Sequence, residues 1–246
     1  QDEFKILRYE TDFHNLKVSV KAQIGDADPE EFFLAYGNVP AQEIWTAVKE
    51  RKFELLPSFL SEPGKNALEF LLRTQDGQGC DMYLDRTTLE TISKAGEESA
   101  IPLIREYARW KTASTNIKIA VRCCLTEKTA DFIQKALAPC AELDCRRLSL
   151  AASKDMEPIY EYLGYTDYAG SVDALKISLS AFEKWCDNRL MERILPEKTK
   201  SFGLGPIIAY VLAVENEIKM VRLILSGKLN HLDENLIRER MRELYE

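Results

Sequence analysis

The sequence has 246 residues, of which 46% are apolar and 30% are charged, with a net charge of −7 and a pI near 5.2. This composition is typical of a folded protein that buries a sizeable core, and its acidity argues against a nucleic-acid-binding surface. The spacing of six cysteines and two histidines fits neither a disulfide framework nor a zinc site, so we expect reduced structural thiols and a cytoplasmic protein.

The first hundred residues predict helices and no strand, because no segment alternates between apolar and polar residues. We expect Pro63 and Gly64 to end one helix, residues 76–79 to form a turn, and Gly96 to end the last helix. Asp28 is predicted to cap a helix that begins at Pro29. The predicted helices are 4–24, 29–36, 41–52, 53–60, 66–73 and 81–94.

The second hundred residues predict a similar series of helices. The longest two are 101–125 and 171–195, the latter capped by Ser171 and stopped by Pro196. Between them we expect shorter helices, followed by a loop with two tyrosines at 164–170. The shorter predicted helices are 129–137, 139–150 and 156–163.

The last 45 residues predict two helices. Pro206 is suited to a first helical turn, and the helix should reach Ser226, with Gly227 as its left-handed closing residue. A second amphipathic helix should begin near Asp233 and continue to the end of the chain. The apolar part of the first helix is far shorter than the roughly 20 residues that cross a bilayer, so we expect no membrane span.

Short motifs recur at nearly constant spacing. Residues 15–18 (NLKV), 116–119 (NIKI) and 217–220 (EIKM) are 101 residues apart, while residues 83–85 (YLD) and 185–187 (WCD) are 102 apart. Matching helix order accompanies the spacing, which indicates a repeat architecture. We therefore predict three copies of a helical unit at 1–100, 101–200 and 201–246, the third incomplete and completed by residues that precede Gln1.

Several residue groups suggest chemistry, but each has a simpler structural explanation. Asp81 and Asp85 have the spacing of a metal-binding carboxylate pair, yet carboxylates are common at helix N-termini and no second acidic motif is visible. The glycines before Pro206 lack a phosphate-binding pattern. His14 and His231 are expected at the surface or in caps, and the three tryptophans in packing contacts.

The repeated lysines are the most notable polar residues. Lys17, Lys118 and Lys219 occupy equivalent positions in the three motifs. Two interpretations stay open: three solvated lysines on helix surfaces, or a ring of like positions that faces an internal cavity.

The C-terminal region resembles a known family. FGLGPIIAYVLAVENEIKMVRLILSGKL, followed by LIRERMRELY, is similar to the end of the C subunits of V/A-type rotary ATPases, whose eukaryotic counterparts are the d subunits. The family pattern has an FGL-P start, an E-N-E-(I/V)-K core, a G-K turn and an I-R-E-R-(L/M) second helix. The resemblance implies an all-α funnel of three helical units with approximate three-fold symmetry, in which an N-terminal segment closes the third.

The resemblance also implies a function. The C subunits of this family are non-catalytic sockets that couple the central shaft, made by the D and F subunits, to the membrane ring of proteolipid subunits, so that ATP hydrolysis or synthesis is linked to proton or sodium transport. It implies a peripheral position on the cytoplasmic face, with no catalytic residue, cofactor or metal and no nucleic-acid partner. We expect Lys17, Lys118, Glu217 and Lys219 to line the socket. The alternative is a stand-alone all-helical enzyme or a helical-repeat scaffold.

Overall fold

The computed structural model describes residues 3–25, 28–242 and 245, and within them the chain forms twelve α-helices and no strand. The expected all-α class is confirmed. The helices are α1 (Tyr9–Lys21), α2 (Ala41–Glu50), α3 (Ser58–Thr74), α4 (Gly77–Glu98), α5 (Pro102–Leu125), α6 (Ala130–Ala136), α7 (Cys145–Ala152), α8 (Met156–Leu163), α9 (Val172–Ile177), α10 (Leu179–Ile194), α11 (Gly205–Leu229) and α12 (Glu234–Arg240).

Short 3₁₀ helices adjoin several of these elements: Glu3–Arg8, Pro29–Phe32, Phe53–Leu55, Ala169–Ser171 and Leu195–Thr199. Asp28 caps the second of them by accepting from the Glu30 N–H at 3.0 Å, as predicted, although the helix is one turn only. His14 lies beside it, with Nε2 3.0 Å from the Phe32 carbonyl oxygen.

The buried apolar side chains form three clusters. The first joins α1 to α4 around Leu16, and the second joins α5 to α10 around Ile117. The third packs Ile104 of α5 against Ile194 and Ile208, and so attaches α11 to both halves. Helices α4, α5 and α10 each contribute to two of the clusters and so connect them.

The prediction that Pro63 and Gly64 end a helix is wrong, because α3 runs through both residues. Both are buried, and a Cβ on Gly64 would approach Leu16 Cδ1 to 2.9 Å. The tight packing of this segment against α1 stabilises the helix by more than the loss of one backbone hydrogen bond at Pro63 destabilises it.

Two further predictions based on glycine are wrong, because the glycines lie at the start or in the interior of a helix. Residues 76–79 form the first turn of α4, because the Asp76 carboxylate accepts from the Gly79 N–H at 2.9 Å. Gly96 lies within α4, where a Cβ would overlap the Cβ of Ala108 on α5. Gly96 therefore permits the close crossing of α4 and α5.

The predicted helix at 171–195 is divided into α9 and α10. Ser178 adopts an extended conformation between them, and its hydroxyl caps α10 by accepting from the Ala181 N–H at 3.0 Å. Ser171 does not cap; its hydroxyl donates to the Tyr168 carbonyl at 2.7 Å. Helix α7 likewise begins later than predicted, at Cys145, where Asp144 provides the cap.

The C-terminal helices also differ from the prediction at their ends. Gly227 lies inside α11, where an added Cβ would approach Ile237 Cγ1 to 2.8 Å, and the left-handed residue is His231, with φ of 54°. Helix α12 begins after Asp233 as expected but ends at Arg240. Residues 243, 244 and 246, which the prediction also included, lie outside the described part of the chain.

Two buried asparagines make the same pair of contacts. The side chain of Asn15 donates to the Leu34 carbonyl at 2.9 Å and accepts from the Leu34 N–H at 2.8 Å. The side chain of Asn116 donates to the Ala138 carbonyl at 2.8 Å and accepts from the Ala138 N–H at 3.0 Å. Each asparagine therefore holds the segment that lies just beyond the next short helix of the chain.

The third motif has a different register. Glu217, which the 101-residue spacing aligns with Asn116, is exposed, and the buried residue of this turn is Asn216. Through residues 3–25, 28–242 and 245, no helix is both long and apolar enough to cross a membrane.

Candidate functional site

A polar cleft of about 300 Å³ lies between α1, α5, α10 and α11. Eight charged side chains line it, four acidic and four basic, together with tyrosine, tryptophan and small polar residues. The charged residues are Glu10, Lys111, Lys118, Glu183, Asp187, Glu215, Lys219 and Arg242.

Helix α5 provides one wall of the cleft. Lys111, Ser114, Thr115 and Lys118 follow the spacing of a single helix face, so their side chains all reach the cleft. Trp110, on the same helix, stacks on Tyr168 with ring centroids 5.2 Å apart. This contact fixes α5 against the second core cluster and makes the wall rigid.

An ion pair connects α1 to this wall. Lys111 Nζ lies 2.8 Å from a carboxylate oxygen of Glu10. Burial opposes ionisation of both groups, but their mutual attraction outweighs it, lowering the pKa of Glu10 and raising that of Lys111. The pair therefore stays ionised at neutral pH and joins the first half of the chain to the second.

Lys118 lies further along the same wall without an ion pair among the described residues. Burial and the nearby positive charge of Lys111 lower the pKa of Lys118, and Glu183 offsets this only in part. An ammonium group in this position is best stabilised by an added anionic partner.

Helix α11 provides the opposite wall. Burial raises the pKa of Glu215 even though Lys219 and Lys111 attract its charge. Lys219 itself is about half exposed, and its Nζ lies 3.4 Å from Asp187 of α10. The cleft therefore contains charged groups whose surroundings do not fully compensate them.

Asp187 has two cationic neighbours from different parts of the chain. Besides Lys219, the Nε of Arg242 lies 2.9 Å from its second carboxylate oxygen. The side chains of Asp187 and Arg242 are 17% and 9% exposed, so this is a well-shielded pair. Arg242 follows the end of α12 and reaches into the cleft from outside the helix walls.

The structure brings together two of the four residues predicted to line a socket. Lys118 and Lys219 lie in the cleft, whereas Lys17 and Glu217 do not. Lys17 forms an ion pair with Asp85 between α1 and α4, and the neighbouring Lys21 pairs with Asp81 at 2.9 Å. These pairs also account for the two aspartates, and the described residues contain no group of three or more potential metal ligands.

Sequence reasoning missed most of the acidic side of the cleft. Glu10, Glu183 and Glu215 lie outside the repeated motifs, and no short pattern marks them. The sequence did contain an indication for Asp187. Its motif corresponds to the motif of Asp85, and Asp85 pairs with one of the repeated lysines. Lys111 could also have been identified from the sequence, because it lies four residues before Thr115 and therefore on the same polar face of α5.

The six cysteines are free thiols. Burial raises the pKa of Cys186, which lines the cleft, to about 12, so it stays protonated at neutral pH. Cys80 and Cys145 are similarly affected, with burial raising the pKa of each to about 11. These thiols act as small packing groups.

The fold and the cleft define the class of protein: an all-α chain with a charged, concave surface between long helices. The family follows from comparison with known sequences, because the family model "ATP synthase (C/AC39) subunit" matches residues 1–240. The chain therefore belongs to the C/AC39 subunit family of V/A-type ATPases, and the resemblance noted in the last 45 residues is confirmed across nearly the whole chain.

Two curated relatives agree with this assignment. The C subunit of the V-type sodium ATPase of Enterococcus hirae is 26% identical over 238 residues, which are 95% of this chain and 73% of the relative. The C subunit of the A-type ATP synthase of Methanocaldococcus jannaschii is 26% identical over 255 residues, covering 95% of this chain and 63% of the relative. No solved structure matches the chain significantly.

Proposed function

We propose that this chain acts as the non-catalytic socket of a V/A-type rotary ATPase, joining the shaft formed by the D and F subunits to the membrane proteolipid ring. In this role it transmits torque, so that ATP hydrolysis or synthesis is linked to the transport of protons or sodium ions. We place it at the periphery of the membrane, on the cytoplasmic face. The observation that carries the proposal is the family match over residues 1–240.

The architecture supports a mechanical role. A torque-bearing adaptor needs stiff walls, and the walls of the cleft are the long helices α5, α10 and α11, held by the stacked Trp110 and by the Glu10–Lys111 pair. Contact with a partner must also be reversible, which suits a polar surface with charged groups. We propose that the cleft forms part of the shaft-binding wall and that Lys118 and Lys219 contact the shaft.

We further propose that the protein is organised in three helical units arranged as a funnel. The equivalent clamps of Asn15 and Asn116 support the first two units. Helix α11 supports a third, incomplete unit, because its outer face carries an exposed apolar seam at heptad-like spacing. The residues of this seam are Ile207, Tyr210, Ile218, Val221, Leu225 and Leu229. Further helices of the polypeptide would cover this seam, and an experimental structure of the assembled complex with the seam in solvent would contradict the arrangement.

Charge reversal tests the shaft contact. We expect Lys118→Glu and Lys219→Glu each to reduce capture of the purified D–F pair at least about ten-fold, since a lost ionic contact and a new repulsion together exceed about 1.4 kcal/mol. The measurement is binding of D–F to the immobilised protein at low salt.

Lys154→Glu is the matched control, because Lys154 is an exposed lysine between α7 and α8 and its substitution causes the same change in net charge. Far-UV circular dichroism should show unchanged helicity in each variant. Capture of D–F by Lys118→Glu and Lys219→Glu at the level of Lys154→Glu would contradict the assigned contact.

A further inference from the structure

Most charged side chains of the cleft already have a partner of opposite charge. The ion pairs are Glu10–Lys111, Asp187–Lys219, Asp187–Arg242 and Glu183–Arg122. Among the described residues, the lining carboxylate and ammonium groups that form no ion pair are those of Glu215 on α11 and Lys118 on α5. The cleft therefore contains one cationic group that the chain itself does not neutralise.

The charged groups that face Lys118 come from three helices. Lys111 lies on the same helix, Glu183 and Cys186 belong to α10, and Glu10 belongs to α1. Burial and the positive charge of Lys111 lower the pKa of Lys118, and the two glutamates do not fully offset these effects. Each glutamate is already shared with another cation, so a further anion would stabilise the Lys118 ammonium group.

The charge balance of the cleft favours a partner group with a single negative charge. Together with Arg122, which pairs with Glu183 at 3.6 Å, the cleft has five basic and four acidic side chains, an excess of one positive charge. One carboxylate cancels this excess. A phosphoryl group carries nearly two negative charges, and the glutamates around the cleft would repel the second. Because Lys118 is partly buried, the carboxylate must belong to a side chain that enters the cleft.

We propose that Lys118 is the receptor for one acidic side chain of the D–F shaft, a glutamate or aspartate that enters between α5 and α11 and forms an ion pair with the Lys118 ammonium group. The proposal rests on the socket function above and specifies the chemistry of the partner. Lys219 lies across the cleft and is about half exposed, so its charge attracts the same anionic group while Asp187 remains beside it.

Replacement of Lys118 by methionine tests the receptor, because it keeps an unbranched stem and removes the charge. We expect Lys118→Met to bind the purified D–F pair about ten-fold more weakly, the factor for one lost charge-assisted contact. The free chain should melt about 2 °C higher, because an uncompensated, partly buried charge is replaced by an apolar group. Lys154→Met, at an exposed lysine, is the matched control and should change neither quantity.

Carbodiimide cross-linking of the wild-type complex identifies the group that Lys118 contacts. The reagent activates a carboxylate, the amine attacks the activated carbonyl carbon, and an amide bond forms while the carbodiimide leaves as a urea. Mass spectrometry should find Lys118 joined to an aspartate or glutamate of D or F. Changing that partner residue to its amide should weaken binding of the wild-type chain about ten-fold and leave binding of Lys118→Met unchanged.

The outcomes separate this inference from the socket proposal. If the wild-type chain does not bind D–F, the socket proposal fails and the inference fails with it. If D–F binds the wild-type chain and Lys118→Met equally, or if Lys118 is cross-linked to no residue of D or F, the inference is overturned and the socket function stands. Weaker binding of Lys118→Met together with a lower melting temperature assigns Lys118 a structural role and also overturns the inference.

Discussion

Replacement of Asn116 by alanine should destabilise the protein more than the same change at Asn15, although both side chains make the same two hydrogen bonds. Ala138, the partner of Asn116, is fully buried, so its N–H loses its acceptor without access to water. Its carbonyl keeps one weak donor, the thiol of Cys145 at 3.2 Å. An orphaned buried donor costs about 2 kcal/mol and the second lost bond about 1 kcal/mol, which gives about 3 kcal/mol for Asn116→Ala.

The partner of Asn15 is in a different environment. Leu34 is 48% exposed, so water replaces the amide on both backbone groups when Asn15 is truncated. The expected loss for Asn15→Ala is therefore about 1 kcal/mol. Asn66→Ala, which alters an exposed asparagine of α3, should change the free energy of unfolding by less than about 0.5 kcal/mol.

Urea unfolding followed by far-UV circular dichroism measures these differences. With a slope of about 3 kcal/mol per molar urea, Asn116→Ala should lower the midpoint by about 1 M and Asn15→Ala by about 0.3 M. Equal shifts for the two variants, or a larger shift for Asn15→Ala, would refute the argument that burial of the backbone partner determines the cost.

Two other substitutions test packing and electrostatics. Gly96→Ala should cost about 1–3 kcal/mol, because the new methyl group overlaps Ala108, whereas Gly77→Ala, with no atom within 4 Å of its added Cβ, should be nearly neutral in the same urea assay. Burial raises the pKa of Glu215 in the folded state. The contribution of this residue to the free energy of unfolding therefore decreases as pH rises from the unfolded pKa of about 4.3 through the folded value. Glu215→Gln should therefore melt at a higher temperature than wild type at pH 7, and the difference should vanish near pH 4; a constant difference would contradict the shift.

The helices that sequence reasoning predicted best are those with their own start and stop signals. Helix α8 matches the prediction at 156–163, and α5 begins one residue after it, at Pro102. The errors occurred where tertiary packing determines the outcome. Pro63, Gly96 and Gly227 are local helix-breaking signals, but each lies where another segment packs closely, which a single sequence does not reveal.

The candidate site was less predictable than the fold. Repetition identified Lys118 and Lys219, which share the cleft, but it also selected Lys17, whose charge is neutralised by Asp85. The difference depends on which acidic residue faces each lysine, and residues such as Glu10 and Lys111 are distant in sequence. They come together because α1 and α5 both pack against α4.

Charge pairing distinguishes the cleft from the surface around Lys17. Lys17 and Asp85 neutralise each other within the first half of the chain. At the corresponding positions of the second half, Asp187 is instead engaged by Lys219 and Arg242, and the described residues offer Lys118 no ion pair. The proposed shaft contact therefore lies where the second segment departs from the pairing of the first, because a charge that its own segment does not neutralise is available to another protein.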